Sequence, residues 1–184
     1  MRNPSRRGFL RTLGACTAIG ALGACTITKN GSVTTVTINV AKVKAYGQAG
    51  LNAVSTILDI TAVATAIGAP AVSVINIASA ALDASLTAFA SAAGSSVTVS
   101  YDNATMKTRI DSVLADLQKV ASDLEAGLKG ASSKVSSSVL SDASVAVSSL
   151  STVISVFEGL LGIVSARRAT MSEAQALRNL GVTA

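Results

Sequence analysis

The chain has 184 residues, 49% of them hydrophobic and only 3% aromatic, with 15 basic and 10 acidic side chains, two cysteines and neither histidine nor tryptophan. Without histidine, Ser-His-Asp and Cys-His chemistry and histidine-ligated haem are excluded, and a zinc site would have to be built from carboxylates. The scarcity of aromatic rings argues against base-stacking surfaces and carbohydrate platforms.

The first 25 residues carry the clearest signal. Arg2, Arg6, Arg7 and Arg11 make a positive start, and Leu13 to Ala24 form an uncharged stretch rich in Ala, Gly and Leu. That order of parts, ending in small residues, is the layout of a secretory signal peptide. The stretch is too short and too weakly apolar to be a stable membrane span. Ser5-Arg6-Arg7-Gly8-Phe9-Leu10-Arg11 resembles the twin-arginine export motif, with Arg11 where Lys is usual and the charge kept. Leu22-Gly23-Ala24-Cys25 resembles a bacterial lipobox. The same tetrad ends at Cys16, but cleavage there would leave almost no apolar stretch after Arg11, so Cys25 is the expected modification site. The resemblance to twin-arginine-exported bacterial lipoproteins covers residues 1–25 only. It implies removal of residues 1–24, diacylglycerol on the Cys25 thiol, and acylation of its amine (palmitate-type chains). Two or more chains anchor stably, where one binds marginally. Thr26 follows in place of the Asp that retains many such proteins at the inner membrane. The expected location is the periplasmic face of the envelope, with the outer membrane favoured over the inner.

This segment changes the reading of charge. Four of the fifteen basic residues lie within positions 1–24 and none of the ten acids do, so the remaining 160 residues carry eleven bases and ten acids, a net of +1. The high isoelectric point therefore belongs to the export segment, and no nucleic-acid partner is implied. One domain with a proper core is the expected size class. No cysteine follows Cys25, so no disulfide framework exists in the mature chain.

Residues 25–40 read as either a β-ribbon or an extended tether. Val36, Ile38 and Val40 alternate with Thr35, Thr37 and Asn39, a strand-like period, and Asn30-Gly31 is a hairpin-turn signal. Val97 to Tyr101 is a second β-prone run that could pair with the first.

From Ala41 the period becomes helical. Val43, Tyr46, Gly50, Ala53, Ile57, Ile60, Ala64 and Ile67 predict one helix up to the break at Gly68-Ala69-Pro70. Val72, Ile75, Ser79, Leu82, Leu86 and Phe89 predict a second, ended by Gly94-Ser95-Ser96. A third, capped by Asp102 or Asn103, carries the seam Met106, Ile110, Val113, Leu117, Val120 and Leu124, with Lys107, Arg109, Asp111, Asp116, Lys119, Asp123 and Glu125 on a solvated face. A fourth carries Val139, Ala143, Ala146, Leu150, Val153, Phe157, Leu160 and Val164, with Arg167 and Arg168 near its carboxyl end. The Ser132 to Ser138 run before it reads as either a linker or part of a closely packed helix. A short final helix is expected near Thr170, from a Thr170-Met171-Ser172-Glu173 capping box to Gly181. The fold expected is all-α, an antiparallel four-helix bundle over 41–184 with a short C-terminal helix and a possible small N-terminal β-ribbon.

The candidate chemistry is sparse. Asp59 and Asp83 are the only ionisable side chains between Leu51 and Ala93, and either sit at the edge of a buried hairpin or pair across it. Tyr46 and Tyr101 are expected as amphipathic packing near the surface. The Gly47/Gly50 and Gly159/Gly162 pairs match no phosphate-binding loop. No catalytic residue, metal ligand or cofactor is expected. The expected role is a structural or protein-interaction module of the envelope, with an unidentified protein partner. Two alternatives are a membrane-perturbing hairpin over 41–93 and a carrier of a small apolar ligand.

Overall fold

The computed structural model describes residues 25–30, 33–163, 165 and 167–182. Most of these residues are helical. In chain order the described elements are β1 (Cys25–Asn30), β2 (Val33–Asn39), α1 (Val40–Leu58), α2 (Thr61–Ile67), α3 (Ala69–Ala93), β3 (Thr98–Ser100), α4 (Ala104–Ala131), α5 (Ser137–Leu160) and α6 (Glu173–Asn179).

The strands form one antiparallel sheet in the order β1-β2-β3. Cys25 lies opposite Ile38, and Thr37 opposite Ser100. Ile38 is fully buried and Val99 nearly so, which joins the sheet to the helical core. Two backbone bonds lock the junction, Val40 N–H to the Val97 carbonyl at 3.0 Å and Tyr101 N–H to the Val36 carbonyl at 2.8 Å.

Asn39 ends β2 and begins α1. Its side-chain oxygen accepts from the Ala41 and Lys42 amides at 2.8 and 3.3 Å, so strand passes to helix through a satisfied N-cap. The α1 stripe of Val43, Tyr46, Gly50, Ala53 and Ile57 is buried. A Cβ on Gly47 would stand 2.7 Å from Leu86, and one on Gly50 would overlap Leu117 and Leu82. These two glycines let α1 approach α3 and α4 closely.

The single helix expected up to Ile67 is in fact two. The chain turns by 90° between α1 and α2. Asp59 caps α1, and Ile60 takes extended angles (φ −77°, ψ 92°). Weak helix formers flank the corner (β-branched Ile60 and Thr61), and the turn lets Val63 and Ala66 bury beside α4. The expected break at Gly68 is present, with Gly68 at φ +89° and Pro70 in the first turn of α3.

In α4, Asn103 is the cap, accepting from the Met106 amide at 3.1 Å. Asp102 instead accepts from the Val36 amide and ties the sheet. All six seam residues from Met106 to Leu124 are buried. α5 stops at Leu160, where Gly162 (φ +72°) reverses the chain. The Ile163 amide bonds the Glu158 carbonyl and the Gly162 amide bonds the Gly159 carbonyl, the paired bonds of a Schellman motif. Val164 lies outside the described residues. Arg167 is therefore not a last-turn cation of α5: the chain folds back, and its guanidinium meets Glu125 on α4 and Ser151 on α5.

The final helix is capped by Ser172, not Thr170. Ser172 Oγ accepts from the Gln175 amide, and Glu173 is already the first helical residue. It ends at Gly181 (φ +68°) in a second Schellman motif, with Val182 N–H to the Leu177 carbonyl and Gly181 N–H to the Arg178 carbonyl. Helix α6 lies on α5 and touches α1.

Candidate functional site

Of the residues singled out in the export segment, Ser5, Arg6, Arg7, Phe9, Leu10, Arg11, Leu22, Gly23 and Ala24 lie outside the described residues. Cys25 is the first described position. Its backbone is the start of β1, paired with Ile38 one residue before the cap of α1. The proposed attachment point thus belongs to the sheet that abuts the helices.

Asp59 and Asp83 are both exposed, and among the described residues neither hydrogen-bonds the other. Asp59 serves as the C-cap of α1 and Asp83 lies midway along α3. Among the described residues no three Cys, Asp or Glu side chains gather as a metal site.

The side chains that do come together join elements. Tyr46 is fully buried, a departure from the surface packing expected of it. Its ring lies 5.2 Å from that of Phe157 at a 49° tilt, and its hydroxyl donates to Glu173 Oε1 at 2.8 Å. Lys42 Nζ donates to the same oxygen at 2.9 Å. One carboxylate therefore fastens α6 to two successive turns of α1. Asn52 continues the seam by donating to the Leu180 carbonyl at 2.7 Å. On the α5 side, Asn179 donates to Ser149 Oγ, and Ser155 donates to the Arg167 carbonyl. The C-terminal segment is thus a strap across α1 and α5, with Ala176, Leu177, Leu180 and Val182 buried beneath it.

Tyr101 sits between β3 and α4. Its hydroxyl donates to Asp111 Oδ1 at 2.5 Å and accepts from Lys107 Nζ at 3.0 Å. Lys107 also pairs with Asp111 and lies 4.6 Å from the Tyr101 ring centre. Burial, then the Asp111 carboxylate, push the Tyr101 phenol above its ordinary value. The bond to Asp111, then that to Tyr101, keep the Lys107 ammonium protonated beyond the usual lysine range.

Glu158, in the last turn of α5, is the least expected residue here. It is 5% exposed. Oε1 accepts from Gln118 Nε2 at 2.7 Å, while Oε2 is buried with no hydrogen-bond partner. A signal for it exists in the sequence: Glu158 is four residues after Ile154 and three before Leu161, so it continues the apolar stripe of its own helix.

Two hollows open on the surface. One of about 570 Å³ lies between α1, α3 and the chain's end, with Ala41, Ala45, Leu86, Ala90 and Val182 in its walls and Lys44 among its lining. The other, of about 270 Å³, lies between α2, α3 and α4 and is lined by Ile67, Ala71, Val74, Ala126, Gly127 and Gly130, beside Asp123. Helices α3 and α5 are each long and apolar enough to cross a membrane, with mean hydropathy of 1.5 in the most apolar window. The bent α1/α2 pair would count as a third such segment if taken together.

No family model, curated protein or solved structure matches this chain.

Proposed function

We propose that the protein is a lipid-anchored envelope lipoprotein, exported by the twin-arginine route and held by acyl chains on Cys25, that acts as a structural or protein-interaction module facing the periplasm. In this reading α1, α3, α4 and α5 make an antiparallel four-helix bundle and β1-β2 is the N-terminal ribbon that carries the anchor. The pairing of Gln118 with Glu158 and of Glu125 with Ser151 supports antiparallel α4 and α5. The observation that carries the functional reading is the use of the ionisable groups. Lys42–Glu173 and Arg167–Glu125 join one element to another, and Asp111 and Lys107 brace Tyr101 at the β3–α4 junction. These contacts spend the polar chemistry on holding a shape, and a shape is what a binding module presents. The partner is an envelope protein; nucleic acid has no place in the scheme, given the near-neutral mature chain.

Cell fractionation tests it. Cys25→Ala is expected to leave the protein unprocessed or release it from the membrane, and Arg6→Lys with Arg7→Lys to block export. Unchanged fractionation in both variants would overturn the reading.

A second reading is a membrane-perturbing protein. It is favoured by the hydropathy of α3, of whose most apolar window only 22% is buried. Leakage of dye from vesicles, caused by the domain without its lipid, would establish it over the first.

A further inference from the structure

We propose that the groove between α1 and α5 is a binding site for a short amphipathic helix of a partner protein, and that the C-terminal strap is its built-in occupant, displaced when the partner binds. The inference rests on the interaction-module reading above and names the chemistry of the partner.

The strap has little hold on its own shape. Helix α6 is 7 residues long, and helices this short are marginal in isolation. It is helical because the groove holds it. The four long helices α1, α3, α4 and α5 pack on one another without it. The chain also has a fixed point just before the strap. The Arg167 guanidinium bonds Glu125 and Ser151, and the Arg167 carbonyl accepts from Ser155. Arg168, Ala169 and Thr170 follow, exposed and outside any helix or strand. The strap can therefore lift after Arg167 while the clamp to α4 and α5 stays closed.

The floor of the groove suits a contact that opens. Among the described residues three polar side chains are buried, and two of them, Ser149 and Thr152, stand on α5 beneath the strap. The strap satisfies both: Asn179 donates to Ser149 Oγ at 3.1 Å, and the Thr170 amide donates to Thr152 Oγ1 at 3.3 Å. From α1, Lys42, Tyr46 and Asn52 donate to it. Water can take over each of these bonds when the strap leaves, which keeps the cost of opening low. The α4 seam from Met106 to Leu124 is apolar by contrast. Contacts that form and break are more polar than permanent ones.

The strap also shows what the groove recognises. Lys42 Nζ and the Tyr46 hydroxyl converge on one oxygen of Glu173, at 2.9 and 2.8 Å, and so receive a single carboxylate. Ala176, Leu177 and Leu180 follow it and are buried. The partner helix therefore carries an acidic residue at its start and apolar side chains three, four and seven positions later. The tethered strap competes at an effective concentration on the order of millimolar, so only a helix that binds better than the strap opens the site.

Fluorescence anisotropy with a labelled peptide of residues 168–182 tests the proposal on the purified protein. Glu173→Ala weakens the protein's own strap and leaves Lys42 and Tyr46 in place to receive the peptide's glutamate. This variant should bind the peptide about tenfold more tightly than the unchanged protein. Asn179→Ala, which loosens the strap on the α5 side, should tighten binding about two- to fivefold. Glu173→Gln in the peptide should weaken its binding to the Glu173→Ala protein about tenfold. A peptide that keeps only that glutamate and the apolar positions, in an otherwise altered helical sequence, should bind within about tenfold of the strap peptide. Circular dichroism confirms that each variant is folded. Absence of saturable binding by both folded variants overturns the proposal. So does binding that ignores the glutamate, or binding that the pattern peptide loses. A dimer of the unchanged protein in sedimentation velocity that Glu173→Ala dissociates assigns the groove to the strap of a second copy and overturns it equally. None of these readouts needs the lipid on Cys25. Their failure leaves the anchoring reading standing, and an unmodified Cys25 leaves the peptide result standing.

Discussion

Glu158 and Gln118 form a pair whose energetics follow from their geometry. Glu158 is 5% exposed; one of its oxygens accepts from Gln118 and the other is buried without a partner. Gln118→Leu removes that donor and leaves both oxygens unsatisfied. A hydrogen bond to a charged group contributes about 1.5–3 kcal/mol, and the half-buried leucine returns part of that, so a net loss of about 1–2 kcal/mol is expected. Glu158→Leu acts differently. It removes the buried carboxylate, while the half-buried Gln118 amide can turn to water, so the change should be near neutral. With both residues changed to leucine the stability should return to about that of the original or exceed it, because paired removal of buried polar partners is far cheaper than removing one. Urea denaturation followed by circular dichroism gives the four free energies, provided the slope with denaturant stays constant. The expected coupling is at least about 1 kcal/mol. Additive effects, or a Gln118→Leu protein within about 0.5 kcal/mol of the parent, would refute the reasoning.

Three further outcomes follow from the packing and electrostatics. Gly50→Ala places a methyl against Leu117 and Leu82 and should destabilise by about 1–3 kcal/mol, less a helix-propensity gain of at most about 1 kcal/mol, whereas Gly159→Ala meets nothing within 4 Å and should stabilise by up to about 1 kcal/mol; thermal melts of the two variants should move in opposite directions. Glu173→Ala removes the acceptor shared by Lys42 and Tyr46; it should cost about 1–2 kcal/mol and speed amide hydrogen exchange in residues 173–182 ahead of α4. Tyr101 and Lys107 both have raised folded-state pKa values, so the stability they add is present below their unfolded values (10.0 for the phenol) and is lost as pH rises through the folded ones. In Tyr46→Phe protein the ultraviolet titration of Tyr101 should have its midpoint above 10.0, and Asp111→Asn should lower that midpoint, since the carboxylate is one of the groups that raise it.

The helical periodicity was legible where it was monotonous. The α4 seam from Met106 to Leu124 repeats every three or four residues over an uninterrupted helix, and each of its members is buried. The corner at Asp59–Ile60 was not legible, because the spacing of Ile57, Ile60 and Ala64 runs through it and neither glycine nor proline marks it. The choice between Asp102 and Asn103 as cap was open because both side chains accept hydrogen bonds equally well; the sheet takes Asp102, a long-range demand invisible to local sequence. Ser172 prevails over Thr170 for a similar reason. Thr170 donates its amide to Thr152 on α5 and so belongs to the strap, while Ser172 faces the free Gln175 amide. The strap's polar contacts to α1 join residues more than a hundred positions apart, as between Lys42 and Glu173, and no periodicity reports such a pairing.

The proposed function rests on a lipid attached to Cys25. It is tested most directly by mass spectrometry of the N-terminal peptide of protein extracted from membranes. The account predicts a chain beginning at Cys25 and heavier by a thioether-linked diacylglycerol, with or without a third acyl chain on the amine. An N-terminal peptide with an unmodified Cys25 thiol, or one cleaved at another position, would contradict it.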